Sequence, residues 1–127
     1  MAYLFVALGG ALGSVARYAC SALAVRWLGV GFPWGTLFVN VAGSFAIGLL
    51  AALVSTDGRP LLGGDARAFF MVGILGGFTT FSSFSLETLN LARGGTLGAA
   101  AANAVLSLAL CLVGVWLGFV TAAPFNR

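Results

Sequence analysis

Four long apolar stretches occupy most of this 127-residue chain, and they constrain its fold more than any other feature. A helix that crosses the hydrocarbon core of a membrane needs about 20 mostly apolar residues. The sequence predicts such spans at about 3–28, 34–54, 66–91 and 96–121. Each connection between them contains the glycine, proline or charge that is typical of a turn. The prediction is therefore an all-α membrane protein, with one transmembrane domain (1–127) of four transmembrane helices.

Charged residues are too scarce for a water-soluble domain. They make up 7% of the chain, against 61% hydrophobic residues, whereas soluble domains have roughly a quarter charged residues. The six basic residues, all arginines, outnumber three acids, but they are scattered rather than grouped, so no nucleic-acid partner is indicated. The chain has no histidine, the commonest general base and transition-metal ligand. It also shows no nucleophile beside a base, and no enzyme is predicted.

Residues 73–88, in the third span, do not suit a helix that faces lipid. They contain the adjacent glycines Gly76 and Gly77, several serines and threonines, and a carboxylate. Glycine and hydroxyl residues weaken a helix and offer its backbone other hydrogen-bond partners. The stretch predicts a third helix that is broken near the middle of the membrane, with free carbonyl groups around residues 76 to 80. Such carbonyl groups are able to hold a small cation such as sodium.

Two phenylalanines follow the predicted break. Phe81 and Phe84 are three residues apart and therefore share a helical face. The edge of an aromatic ring is positive, so the pair can meet an anion edge-on beside hydroxyl groups such as that of Ser83. An ordinary aromatic packing core is the alternative, and the residues alone leave both interpretations open.

Polar residues at four-residue spacing form one stripe on the second span and another on the fourth. The stripes are Thr36, Asn40 and Ser44, and Asn103, Ser107 and Cys111. An unsatisfied amide in lipid costs several kcal/mol, so we expect the two asparagines to face protein or a cavity. Hydrogen bonds between helices and a lined ion path are both consistent with the pattern.

Arg17 lies well inside the first span. A charge at such a position is costly and usually faces the protein interior or water. Arg17 therefore serves an anion, pairs with an acid, or extends its side chain to the membrane interface.

The arginines are nearly balanced between the two sides of the predicted domain. One side carries Arg59, Arg67 and Arg127, and the other carries Arg26 and Arg93, with Arg17 nearer to the second. Because arginine asymmetry normally sets orientation, we expect this chain to insert both ways. Four helices are also too few to enclose a pore alone. An antiparallel homodimer with dual topology is the hypothesis that answers both points, and terminal tags found on only one membrane face would contradict it.

Two motifs closely resemble those of the Fluc (CrcB) fluoride channels. They are Gly-Thr-Leu-Phe-Val-Asn-Val-Ala-Gly-Ser-Phe (35–45) and Gly-Gly-Phe-Thr-Thr-Phe-Ser-Ser-Phe-Ser-Leu-Glu-Thr (76–88), and the likeness extends to Gly-Ala-Leu-Gly-Ser-Val-Ala-Arg-Tyr (10–18). The resemblance covers essentially the whole chain. It implies a dual-topology antiparallel homodimer in the lipid of the bacterial inner (plasma) membrane. Its two pores would export toxic fluoride from the cytoplasm by passive conduction.

The resemblance also implies roles for individual residues. Asn40 matches the pore asparagine, and Phe81 and Phe84 match the pair that lines the ion path. Gly76 and Thr79 match the carbonyl donors to a structural sodium ion at the dimer centre.

Further pore candidates lie on the other helices. Ser107 falls on the polar track of the fourth helix, and the remaining candidates for the pore are Thr36, Ser83 and Asn103. Some family members have a tyrosine and a second serine where this chain has Asn103 and Cys111. A thiol is a weak donor, so the part of Cys111 in the track is left open. Arg17 matches an arginine that draws anions to the pore mouth, and Glu87 matches a family acid whose role is left open.

Two other functions are alternatives to a channel. A small multidrug exporter also has four helices, but it needs a carboxylate in its first span for proton-coupled exchange. The three acids of this chain are Asp57, Asp65 and Glu87, and none lies there. A scaffold subunit, whose polar stripes only hold helices together, is the other alternative, and the absence of fluoride flux would favour it.

Overall fold

The computed structural model describes residues 1–54, 62–122 and 124, and it is helical almost throughout these residues. Helix α1 is Ala2–Leu28, α2 is Trp34–Val54, α3 covers 64–78, α4 is Phe81–Arg93 and α5 is Leu97–Ala122. Within this part of the chain, four segments are long and apolar enough to cross a membrane: α1, α2, α5 and the segment Gly64–Arg93 that contains α3 and α4. The expected all-helical chain with four spans is confirmed.

Three charged residues, Asp57, Arg59 and Arg127, lie outside the described residues. The first two belong to the connection between the second and third spans, and the third is the last residue of the chain.

The two described connections turn at glycines. Gly29, directly after α1, and Gly95, between α4 and α5, both have a φ of 82°. Glycine adopts this left-handed conformation without the steric cost of a Cβ atom. The Gly29 N–H also donates to the Val25 carbonyl at 3.0 Å and closes the end of α1. These turns make α1 a neighbour of α2, and α4 a neighbour of α5.

Helices α1 and α3 approach closely because glycines of one helix meet glycines of the other. Gly9 and Gly13 are buried on α1, and Gly73 and Gly77 lie opposite them on α3. A Cβ atom at Gly9 would lie 3.0 Å from the Gly73 Cα, and one at Gly13 would collide with the Ile74 carbonyl. The backbones are therefore in direct contact, as in other membrane helix pairs with small residues at four-residue spacing.

We expect Gly13→Ala to lower the stability of the protein, because the new methyl group would press on the α3 backbone rather than on a flexible side chain. Overpacking of this kind costs about 1–3 kcal/mol, which should lower the midpoint of thermal unfolding in detergent. Gly10→Ala is the matched control on the same helix, since a Cβ atom at Gly10 meets nothing within 4 Å. Equal midpoints for the two variants would argue against this close packing.

Helices α2 and α5 form the second close pair. Gly48 of α2 and Gly118 of α5 are buried. A Cβ atom at Gly48 would collide with the Val115 carbonyl, and one at Gly118 would collide with the Phe45 carbonyl. Helix α4 packs on α5 and also touches α2. The polar stripes of α2 and α5 are thereby brought to the same part of the molecule as α4.

The backbone of the segment Gly64–Arg93 changes conformation along its length. Residues Ala68–Leu75 are wound as a π-helix, a rare form that is frequent at functional sites, and Gly76–Phe78 return to α-helix. Thr79 (φ −85°, ψ 157°) and Thr80 (φ −155°, ψ 113°) are extended. Two extended residues thus separate α3 from α4, and the polar residues of the candidate site gather around them.

Candidate functional site

Asn40 of α2 holds the extended residue Thr80 in place. Its Oδ1 accepts a hydrogen bond from the Thr80 backbone N–H at 2.7 Å, and its Nδ2 donates to the Thr80 carbonyl at 3.0 Å. One side chain thereby satisfies both backbone polar groups of a residue that has left the helix, where unpaired groups would be costly. Asn40 thus hydrogen-bonds to the connection between α3 and α4 rather than to a neighbouring helix. The second N–H of the amide makes no hydrogen bond within the part of the chain that the structure describes.

The Thr80 side chain caps the start of α4. Its Oγ1 accepts from the Ser83 N–H at 3.2 Å and donates to the Ser83 Oγ at 3.1 Å. A threonine in this position satisfies a free N–H of the first helical turn. Sequence reasoning did not select Thr80 as a site residue. The sequence signal that could have identified it is a threonine directly before the start of a helix.

A groove of about 580 Å³ lies beside the two extended threonines. It brings together four of the residues predicted for the ion path and both predicted sodium ligands: Asn40, Phe81, Phe84, Ser107, Gly76 and Thr79. Ser44 and Cys111 also line it. Two residues of each polar stripe and the phenylalanine pair, which are far apart in the sequence, therefore face one cavity.

The two phenylalanine rings of the groove lie close together and tilted. The Phe81 and Phe84 centroids are 5.2 Å apart, with the ring planes at 51°. A tilted pair can present ring edges to an ion, and edges carry the positive part of the ring's quadrupole. Phe84 is half-buried, but the Phe81 side chain is 79% exposed in the single chain. The groove is thus open on the side of Phe81.

Thr36 faces a second cavity, although it shares a helical face with Asn40. Its Oγ1 donates to the Glu87 Oε1 at 2.9 Å. Both residues line a cavity of about 430 Å³ between the ends of α1, α2 and α4. The other carboxylate oxygen of Glu87, Oε2, is buried without a hydrogen-bond partner among the described residues. Glu87, whose role the sequence left open, is therefore paired with a predicted pore residue.

Asn103 lies behind the groove rather than on its surface. Its side chain is 1% exposed, and its Nδ2 donates to the Thr88 Oγ1 at 2.8 Å. The Ser107 hydroxyl, which does line the groove, donates to the Asn103 Oδ1 at 3.5 Å. Asn103 thus reaches the groove only through Ser107.

Besides Asn103, two predicted site residues line neither cavity. Ser83 is half-buried and bonds to Thr80, and Arg17 is half-buried on α1. The single chain therefore does not bring Arg17 to the groove, and Ser83 takes part in holding the start of α4.

The carbonyl groups of Gly76 and Thr79 have lost their usual helical donors. In an α-helix a carbonyl accepts from the N–H four residues later. For Gly76 that donor is the N–H of Thr80, which donates to Asn40 instead. For Thr79 it is the N–H of Ser83, which donates to the Thr80 hydroxyl. Freed carbonyl groups at an interrupted membrane helix are suited to sodium, and the two predicted ligands fit that requirement.

Comparison with known proteins identifies the family. Residues 4–119 match the family described as "CrcB-like protein, Camphor Resistance (CrcB)". A relative from Opitutus terrae, named "Fluoride-specific ion channel FluC", is 60% identical over 124 residues, which are 98% of this chain and 94% of the relative.

Other relatives carry the same name. One from Rhodospirillum rubrum is 58% identical over 127 residues, covering 100% of this chain and 98% of the relative. One from Thermus thermophilus is 57% identical over 117 residues, covering 92% and 91% of the two chains. Because the family match and these three alignments extend over nearly the full length of the chain, this multi-pass membrane protein belongs to the CrcB family, in which all three relatives are named fluoride-specific ion channels.

Proposed function

We propose that this protein is a fluoride-selective passive ion channel that exports fluoride from the cytoplasm. The observation that carries the proposal is the groove, in which Asn40, Phe81, Phe84 and Ser107 converge from three helices beside the extended threonines. The names of the relatives indicate that the conducted ion is fluoride. Those names describe channels rather than enzymes, and no chemical step is proposed.

The lining of the groove suits a small, strongly hydrated anion. Such an ion must exchange its water shell for hydrogen-bond donors, yet each site must be weak enough for the ion to leave. The groove offers the free N–H of Asn40, the Ser107 hydroxyl and the edges of two rings, and no charged residue lines it among the described residues. A ring of arginines would hold the ion too tightly. Selection against chloride would then rest on pore width and the density of donors.

We propose that two copies assemble as an antiparallel dimer with one pore at each groove. Phe81 is largely exposed on the open side of its groove, and a groove that holds polar groups needs cover in a membrane. A second copy provides that cover. Because the arginines are nearly balanced between the two sides, insertion in both orientations into the bacterial inner membrane is expected.

We place the break of the third helix near the middle of the membrane, with a structural sodium ion beside it at the dimer centre. Thr79 and Thr80 fall at the middle of the 30-residue segment Gly64–Arg93. The Gly76 and Thr79 carbonyl groups have lost their helical donors, and Gly76 is accessible on the single chain, with open space where a Cβ atom would stand, so a second copy can approach it. The ion would hold the facing carbonyl groups of two copies together.

Efflux from liposomes tests the proposal. Purified protein should release fluoride rapidly from liposomes loaded with fluoride and chloride, and should retain the chloride, as recorded with ion-selective electrodes. Replacing sodium by N-methylglucamine on both sides should slow the release if the sodium ion is structural. Dimeric protein that releases no fluoride would favour the scaffold alternative, for which the hydrogen bonds of Asn40 and Asn103 are the specific observation.

A further inference from the structure

The Thr88 hydroxyl has a fixed direction. Its Oγ1 donates to the Phe84 carbonyl at 2.7 Å. A hydroxyl has one proton and a carbonyl has none, so this bond uses the only donor of Thr88. Toward every other neighbour, the Thr88 oxygen acts as an acceptor.

The direction of Thr88 determines the orientation of the Asn103 amide. Only the NH₂ group of Asn103 can bond to an oxygen that accepts, and the distance from Nδ2 to the Thr88 Oγ1 is 2.8 Å. The amide oxygen must therefore point the other way, toward Ser107 one helical turn later. Because Asn103 is buried, water does not compete for either end of the amide.

The orientation of Asn103 in turn directs the Ser107 proton. An amide oxygen only accepts, so the Ser107 hydroxyl donates to it, at 3.5 Å. A hydrogen bond of this length is weak. The hydroxyl proton of Ser107, a residue that lines the groove, is thus held only weakly and is readily turned toward a passing anion.

We propose that Thr88 is a positioning residue for conduction, acting on the ion through Asn103 and Ser107. The proposal rests on the proposed function of the groove. Without the Thr88 hydroxyl, the Asn103 amide turns and donates to the Ser107 oxygen instead. The Ser107 proton then loses its amide acceptor and becomes available to the ion, so fluoride is held more tightly and leaves more slowly.

Thr88→Val tests this series of hydrogen bonds from Thr88 through Asn103 to Ser107, because it removes the hydroxyl and keeps the branched shape of the side chain. Fluoride efflux is measured over a range of fluoride concentrations. We expect the maximal flux and the half-saturating concentration to fall together, each by about three- to tenfold, the range that one hydrogen bond supports. Thr88→Ser should restore both values, and in an Asn103→Leu background Thr88→Val should change neither.

Thr121→Val is the matched control. Thr121 also donates to the carbonyl four residues before it, Leu117, at 2.6 Å, but it lies at the end of α5 and lines neither cavity. We expect flux and half-saturation like those of the unmodified protein. A Thr88→Val protein that conducts normally, or that loses flux without a change in half-saturation, would overturn the proposal.

A measurement without transport separates this proposal from the proposed function. The NMR signals of the Asn103 side-chain amide should shift in Thr88→Val and return in Thr88→Ser, and unchanged signals would contradict the inference. If Thr88→Val does not assemble, Thr88→Ala takes its place in both measurements. If the unmodified protein shows no fluoride flux, the proposed function is wrong. If Thr88→Val leaves the flux unchanged, only this inference is wrong.

Discussion

Asn40→Asp is expected to reduce fluoride efflux from liposomes by about 100-fold or more. The figure follows from the repulsion between a carboxylate and an anion about 4 Å away, about 4 kcal/mol at an effective dielectric constant near 20, at about 1.4 kcal/mol for each factor of ten. Two physical effects act together. The new charge faces the groove that we propose as the anion path, and the bond to the Thr80 carbonyl is lost.

The hydrogen bonds of Asn40 explain the second effect. An ionised carboxylate still accepts from the Thr80 N–H, which lies 2.7 Å from Oδ1. Its other oxygen would face the Thr80 carbonyl, now bonded at 3.0 Å by the amide N–H, and two acceptors repel each other. Thr80, the extended residue before α4, is then hydrogen-bonded to residue 40 through its N–H only.

Asn40→Leu serves as the control for charge. It removes both hydrogen bonds to Thr80 but adds no negative charge to the groove, so we expect a smaller loss of flux. Gel filtration should show that both variants remain assembled like the unmodified protein. Normal efflux by an assembled Asn40→Asp protein would mean that Asn40 does not line the ion path.

Phe81→Ile is expected to reduce fluoride efflux by at least about tenfold. Ring contacts are worth about 0.5–1.5 kcal/mol in proteins, and an ion in a medium of low dielectric constant interacts more strongly. Isoleucine keeps much of the apolar volume but has no positive ring edge. The tilted pair with Phe84, in which the two ring centroids are 5.2 Å apart, would then have one ring edge instead of two to offer the proposed anion path.

Phe38→Ile is the matched control for the ring. Phe38 is also an exposed phenylalanine of this chain, on α2, and it lines neither cavity. We expect its efflux to equal that of the unmodified protein. Equal rates for Phe81→Ile and Phe38→Ile would favour an aromatic packing role for Phe81, the alternative that the sequence left open.

The four spans were predictable from the sequence because hydropathy acts locally. The second span was expected at 34–54 and is Trp34–Val54. The third was expected at 66–91, and the helical segment is Gly64–Arg93. Each residue contributes to the free energy of transfer from water into the membrane nearly independently of residues far away in the chain. The spans could therefore be located without knowledge of how the helices pack.

The partners of the polar side chains depended on packing. Thr36 and Asn40 lie on one face of α2, yet Thr36 meets Glu87 in one cavity and Asn40 meets Thr80 in another. The four-residue spacing indicated the shared face but not what each residue would touch. Asn103 and Ser107 likewise share a stripe on α5, but only Ser107 reaches the groove.

The sequence by itself thus determined a membrane protein of four helices and the motifs of its family. The tertiary structure decided which carbonyl groups lose their donors and which hydroxyl groups face the groove. The physical reason is the crossing of the helices, which depends on backbone contacts at glycines such as Gly13 and Gly118. These contacts join residues that are distant in the chain, and the periodicity of a single helix carries no information about them.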